Sequence, residues 1–247
     1  MKFWVVFKKE MRSYYNSLIA YIIISIFLLI AGYFFYTDLA LFVLWSGIDI
    51  NLGFWEYYFH DIRYFLILII PILTMRLFAE EKKLGTIELL STYPLRYIDI
   101  LLGKFLACFT ILFLMLFIVF FYAFFIKAFH ILNWGPVLSG FLGLLLLGTA
   151  FMSCGIFLSS ITENQMLAAA MTYCTLLAFW FITWNETIGS ENLIKALKKI
   201  SLFDRFFNFS RGLVDSKNII FFFLFIFFFL FLTYISLESR RWKGLKK

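Results

Sequence analysis

Six stretches of this chain are apolar for long enough to cross a lipid bilayer as helices. They lie at 18–36, 59–75, 105–126, 136–161, 165–184 and 219–237. A bilayer core takes about 20 apolar residues per helix, and unbroken apolar runs fit helices rather than the alternating strands of a barrel. Only 15% of the residues are charged, against about 25% in soluble domains. The sequence therefore predicts an all-α polytopic membrane protein with six transmembrane helices.

Three groups of basic residues predict the orientation of these spans. They precede the first span, lie between the second and third, and follow the sixth: Lys2, Lys8, Lys9 and Arg12; Arg76, Lys82, Lys83, Arg96 and Lys104; Arg240, Arg241, Lys243, Lys246 and Lys247. An even number of spans puts all three groups on one side, which is the cytoplasm by the positive-inside rule. We expect an inner-membrane protein with both termini in the cytoplasm and an outer loop at 37–58, which has no Lys or Arg.

Two further segments are predicted to lie at the membrane surface. In residues 1–16, Phe3, Trp4, Phe7 and Met11 share a helical face, which is typical of an interfacial helix on the cytoplasmic side. The segment 185–217 is assigned to the outside, although it also carries basic residues, and its apolar spacing predicts short amphipathic or re-entrant helices. Gly212 is expected to end the second of them, and Asp215 or Ser216 to cap the sixth span.

The densest run of charge is "RLFAEEKKLGTIELLSTYPLRYIDILLGKF", from Arg76 to Phe105. We expect its first part to extend the second span as a helix, with Glu80, Glu81, Lys82 and Lys83 in water. Gly85 and Thr86 then permit a sharp reversal, and Pro94 ends a new short helix, "IELLSTY". The loop 77–104 therefore predicts a compact cytoplasmic helix on which another protein docks.

The motifs of common enzymes and of metal sites are missing from the sequence. "LLGKF" lacks the first Gly and the Ser or Thr of a phosphate-binding P-loop, and no His pair has zinc-ligand spacing. The cysteines Cys108, Cys154 and Cys174 lie apart in apolar runs and are interpreted as small core residues. Nucleic-acid binding is excluded because the basic residues flank apolar spans, where anionic lipid and membrane orientation explain them.

Polar residues in the spans have two open interpretations. His60, Asp61 and Arg63 form an outer gate or proton relay, or else a structural group at the headgroup level with an ion pair or hydrogen bonds to His60. The structural interpretation is favoured. Ser153, Ser159 and Ser160, with Gly148 and Gly155, predict a small-residue face that lets another helix approach closely.

The charged loop resembles the coupling helix of ABC-2 type transporter permeases. Its pattern E-x-x-x-G-T-x-E-x-L-x-x-x-P is carried by Glu81, Gly85, Thr86, Glu88, Leu90 and Pro94, and Lys104 stands at the place of the family's lysine that enters the third span. "LSSITENQ" and "FNFSRGLVDSKNIIFF" resemble the permease of the gliding-motility-associated ABC transporter.

The resemblance implies a fold, a function and partners. The fold is that of ABC-2 (type V) exporters, with a connecting helix at 1–16, the coupling-helix loop at 77–104 and re-entrant helices at 185–217. The chain is a non-catalytic permease subunit that couples ATP hydrolysis to export or to force transmission. Its partners are two ABC ATPase subunits that bind ATP and Mg, a second copy or a similar permease, and in the gliding subgroup a membrane-anchored protein with an extracytoplasmic domain. The chain itself binds no cofactor. A secondary transporter or a membrane-embedded enzyme is the alternative.

Overall fold

The computed structural model describes residues 3–44, 53–85, 96–129, 133–184 and 201–244 of the 247 residues, and these segments are almost entirely helical. The helices are α1 (Phe3–Asn16), α2 (Leu18–Leu44), α3 (Trp55–Thr74), α4 (Arg76–Lys83), α5 (Tyr97–Phe129), α6 (Trp134–Ile161), α7 (Gln165–Trp184), α8 (Leu202–Ser210) and α9 (Ser216–Gly244). The predicted short helix in 86–95 and the first part of the outer segment, 185–200, lie outside the described residues.

Five stretches of described helix are long and apolar enough to cross a membrane. They are Leu18–Leu44, Trp55–Lys83, Tyr97–Ala128, Trp134–Ile161 and Ser216–Ser239. The prediction of an all-α membrane protein is confirmed. α7 has a shorter apolar stretch, Gln165–Phe181, so the count of six spans stays a prediction.

The predicted outer loop at 37–58 is wrong in its extent, because helix continues into it from both sides. α2 ends only at Leu44, and α3 already begins at Trp55. Asp38, which the predicted loop included, lies within α2 and is 7% exposed. The apolar residues that follow Asp38 continue the helix. The carboxyl group of Asp38 is therefore buried among packed helices.

α6 is the central helix, and small residues on several of its sides make that position possible. Gly140 lies against Phe59 of α3, and Gly143 against Phe209 of α8. Further along, Gly148 lies against Leu112 of α5, and Gly155 against Thr74 of α3 and Thr172 of α7. A side chain at any of these glycines would overlap its neighbour, so the helices approach closely. The predicted small-residue face is therefore present.

α8 packs across one end of the bundle, which we call the α8 end. The hydroxyl of Ser139 donates to the carbonyl of Phe209 at 2.7 Å, and the guanidinium of Arg211 pairs with Glu56 at 3.1 Å. The hydroxyl of Ser201 caps α8 by accepting from the N–H of Asp204. Gly212 follows the helix with a φ of +87°, a left-handed conformation that ends a helix and favours glycine. α1 and α4 lie at the other end, the α1 end.

α9 is the Phe-rich helix, and it exposes four of its phenylalanine side chains. Phe223, Phe227, Phe228 and Phe231 are at least half exposed, whereas Phe222 is fully buried. Aromatic and aliphatic side chains exposed along a span suit contact with acyl chains. The cysteines form no disulfide: Cys108 and Cys154 are buried as expected, but Cys174 is exposed.

Candidate functional site

Lys104 is a buried lysine that joins three helices at the α1 end. Its side chain is 2% exposed, and its Nζ lies 3.0 Å from a carboxylate oxygen of Glu10 on α1 and 3.0 Å from one of Glu81 on α4. Lys9 reaches the same Glu81 carboxylate at 3.3 Å from the exposed side of α1. We call the group Glu10, Glu81 and Lys104 the α1–α4–α5 junction. Two carboxylates around one buried ammonium compensate its desolvation and hold the helices in register.

A glycine on α5 brings α1 close enough for these contacts. A Cβ added to Gly103 would lie 2.8 Å from the Cβ of Val6, so α1 rests directly on the α5 backbone. Glu10 follows Val6 by one helical turn on the same face and therefore meets Lys104. Further along this face, burial raises the pKa of the Tyr14 hydroxyl well above its usual value, so the group stays protonated. The protein-facing side of α1 thus centres on Val6 and Glu10, while Trp4 is half exposed.

Ser159 of α6 occupies the point where α3 gives way to α4. Its hydroxyl accepts hydrogen bonds from the N–H groups of Phe78 and Ala79, at 3.2 and 3.1 Å, and donates to the carbonyl of Met75 at 3.0 Å. A side-chain group inserted at a helix junction is a recognised cause of bending. Pro71, one turn earlier in α3, removes a further backbone donor. α6 thus holds the α3–α4 boundary through three hydrogen bonds of Ser159.

The end of α6 also contacts α9. Lys82 of α4, 7% exposed, donates from its Nζ to the carbonyl of Ser160. The hydroxyl of Ser236 on α9 donates to the same carbonyl at 3.4 Å. The guanidinium of Arg76 pairs with Glu80 and also donates to Ser17, just before α2, at 3.2 Å. α4 is therefore bonded to α1, α5, α6 and the residue that precedes α2.

The expectation that Glu80, Glu81, Lys82 and Lys83 all lie in water is wrong for two of them. Glu81 and Lys82 are turned into the protein, because α1 and the end of α6 cover that side of α4. The Glu81 carboxylate contacts Lys104 and Lys9 within the chain, and its role in coupling to an ATPase stays a prediction. Gly85 has a φ of +68°, a left-handed value that glycine adopts without steric cost. Thr86, Glu88, Leu90 and Pro94 lie outside the described residues.

The second predicted group, His60, Asp61 and Arg63, lies near the start of α3 at the α8 end. His60 Nδ1 is 3.5 Å from Asp61, and His60 Nε2 is 3.2 Å from the hydroxyl of Tyr64. Arg63 makes no ion pair with Asp61 and instead donates to the same Tyr64 hydroxyl at 3.2 Å. Tyr64, which the sequence did not single out, therefore connects the histidine and the arginine.

Neither region resembles a metal centre. Within the described ranges, no three His, Cys, Asp or Glu side chains are grouped so that they could hold a metal ion. What the α1 end provides instead is a set of mechanical connections between a surface helix, α4 and the long helices α5 and α6. Such a set suits the transmission of movement.

Comparison with known families agrees with this arrangement. The profile of the family described as ABC-2 family transporter protein matches residues 4–240. The chain belongs to this family. No curated protein is significantly similar to it. Membership makes this ABC-2 protein the membrane permease of an ABC transporter. It is a non-catalytic subunit that lies in the bilayer and works with an ABC ATPase.

Proposed function

We propose that this ABC-2 protein couples ATP hydrolysis by a separate ATPase to export or to force transmission, with 86–95 as the segment on which the ATPase docks. The observation that carries the proposal is Lys104, which bonds to Glu10 of α1 and to Glu81 of α4 at once. A displacement of the docking segment acts first on Gly85 and α4. Because α4 is tied to α1 and α5 through this junction, these helices follow it as one body.

The connections of α4 to α6 carry the same displacement into the centre of the bundle. Ser159 holds the N-terminal turn of α4, and Lys82 holds its last turn through Ser160. The α3–α4 boundary at Met75 lets α3 change its tilt while these bonds stay intact. α6, packed on every side, then passes the movement toward α8 and the α8 end.

The resemblance to the coupling pattern of the family supports specific roles for the docking segment. Thr86 caps the coupling helix, Glu88 makes a charge-assisted contact to the ATPase, and Leu90 fills its groove before Pro94 ends the helix. The assembly we propose has two ATPase subunits, which bind ATP and Mg, below two permeases. The second permease is another copy of this chain or a similar one. The likeness of two further segments to gliding-motility permeases supports a mechanical output and an extracytoplasmic partner.

Co-purification of the ATPase with tagged variants tests the proposal. Glu88→Lys inverts a contact that contributes about 1.5–3 kcal/mol when one partner is charged, so it should release the ATPase or leave it bound without coupled turnover. Lys195→Glu, a similar charge change in the predicted outer segment, should leave ATPase binding intact. The wild-type chain freed of other subunits should hydrolyse no ATP. Full assembly and activity of Glu88→Lys, together with loss of binding in Lys195→Glu, would contradict both the docking segment and the orientation.

A further inference from the structure

Arg63 is a buried arginine at the α8 end that forms no ion pair within the described part of the chain. It is 8% exposed, and its guanidinium carbon lies 4.9 Å from the ring centre of Tyr64, 5.5 Å from that of Phe203 and 5.8 Å from that of Phe206. Its Nη2 donates to the Tyr64 hydroxyl, while its Nε has no acceptor. Three aromatic faces thus surround a guanidinium whose donors are largely unused.

Within the described segments, no carboxylate pairs with this guanidinium. A guanidinium stays charged at all physiological pH values, and a buried charge is ordinarily compensated by an opposite charge and hydrogen bonds. Aromatic faces attract the cation, but they accept no strong hydrogen bond from its N–H groups. Two carboxylates near the start of α3 are engaged elsewhere: Asp61 contacts His60, and Glu56 pairs with Arg211. The position therefore favours an incoming phosphate or carboxylate.

An apolar cleft begins beside this arginine. It has a volume of about 420 Å³ and is lined by Tyr64, Ile67 and Leu68 of α3 and by Tyr173, Leu177 and Trp180 of α7. The rings of Tyr64 and Trp180 meet at its end nearest Arg63, with centroids 5.4 Å apart. From there, the cleft follows α7 for the two turns back to Tyr173, which is roughly 10 Å at 1.5 Å per residue. Its dimensions suit part of an acyl chain.

We propose that Arg63 and this cleft bind an anionic amphiphile, with its phosphate or carboxylate head at the guanidinium and its apolar chain between α3 and α7. Tyr64 turns aside to admit the head, and the guanidinium then donates two parallel hydrogen bonds to it. The ligand enters through the larger cleft, because a smaller cleft of about 250 Å³ on the other side of Tyr64 is lined by Asp61, which repels anions. Only the question of whether the amphiphile is cargo rests on the proposed export function.

Lipid retention by the purified chain tests the proposal. The chain in neutral detergent is titrated with phosphatidylglycerol, which carries one negative charge, or with zwitterionic phosphatidylcholine, and bound lipid is counted by native mass spectrometry. The wild type should retain phosphatidylglycerol at least about tenfold better. Arg63→Gln should abolish the preference, and Arg63→Lys should keep part of it, since lysine keeps the charge without the paired donors. Arg211→Gln is the matched control, because this exposed arginine pairs with Glu56 at the same end; it should behave as the wild type.

Two results would overturn the proposal: no preference in the wild type, or an unchanged preference in Arg63→Gln. If Arg63→Gln fails to fold, Leu68→Trp fills the cleft from a side chain that is 48% exposed and leaves the charge in place. It should weaken phosphatidylglycerol retention severalfold, and undiminished retention would count against the cleft.

A further arm separates the sources of the anion. Phosphatidylglycerol that stays bound during ATP turnover by the assembled transporter is a resident lipid, and phosphatidylglycerol that is released only on turnover is cargo; either outcome supports the site. Competition by inorganic phosphate alone at equal concentration would show a soluble-anion site and overturn the amphiphile. Because the binding measurement needs no ATPase, its failure is distinguishable from failure of the coupling proposal.

Discussion

Lys104 Nζ and Glu10 Oε1 lie 3.0 Å apart in the interior of the α1 end, although the two residues are 94 positions apart in the chain. Replacement of Lys104 by Met keeps the length and apolar stem of the side chain but leaves the buried Glu10 carboxylate without its cation and removes one of the cations that contact Glu81. Breaking a buried pair costs about 3–5 kcal/mol. We expect Lys104→Met to lower the thermal unfolding midpoint in detergent markedly.

Lys9→Met is the control for this variant, because Lys9 also reaches Glu81 but from a side chain that is 61% exposed. An exposed pair is worth about 0–1 kcal/mol, so the midpoint should hardly move. Adding Glu10→Gln to Lys104→Met removes the buried carboxylate that has lost its cation and should restore part of the loss. Equal effects of Lys104→Met and Lys9→Met would show that burial does not set the strength of this junction.

The hydroxyl of Ser159 provides a second prediction. Ser159→Ala removes the acceptor used by the N–H groups of Phe78 and Ala79, and a buried donor left without a partner costs about 1–3 kcal/mol. Amide hydrogen exchange in 76–83 should accelerate, and the unfolding midpoint should fall. Ser153→Ala is the matched control: Ser153 is equally buried, but it bonds only within α6, to the carbonyl of Ala150. If Ser153→Ala accelerated exchange in α4 as much, the special position of Ser159 would be disproved.

The sequence predicts the long helices of this protein well but not the junction between them. Lipid imposes helices on apolar runs, so the runs are visible without tertiary information. Lys82 and Lys83 look alike in sequence, yet Lys82 is buried and Lys83 exposed. Likewise, Glu10 stands among basic residues and suggests a surface position. What buries it is the contact of Val6 with Gly103, which no local pattern encodes.

The same limit applies to the serines of α6. A small-residue face at Gly148 and Gly155 follows from composition, and the structure has it. That Ser159 also takes two backbone donors of α4 depends on the register between α4 and α6, which sequence spacing does not fix. The turn at Gly85 is easier to predict, because glycine next to threonine after a charged helix is a strong local signal.

Cysteine labelling tests the predicted orientation. In a background with Cys174, the exposed cysteine, replaced by serine, new cysteines at Asp49 and Glu191 should react with a membrane-impermeant maleimide added to intact cells. A cysteine at Gly244 should react only after permeabilisation. The reason is that the three groups of basic residues beside the spans determine the orientation more strongly than the basic residues of the longer predicted outer segment. Labelling of the Glu191 position only in permeabilised cells would reverse the assignment of that segment.

The last prediction concerns Gly85, whose φ of +68° is a left-handed backbone conformation. A Cβ added at Gly85 would meet no atom within 4 Å, so Gly85→Ala introduces no clash with the described residues. The cost is that of a left-handed conformation, about 1–2 kcal/mol for an ordinary residue, and Asn tolerates it better. Since the segment that follows is the proposed docking site, this strain should redirect it. We expect Gly85→Ala and Gly85→Val to insert normally but to recover less ATPase on co-purification, with Gly85→Asn in between.

Gly135→Ala is the control, because its Cβ would make an ordinary 3.5 Å contact with Asn133, and it should retain full assembly. Should Gly85→Val assemble as fully as Gly135→Ala, the direction of the chain at Gly85 would have no part in docking.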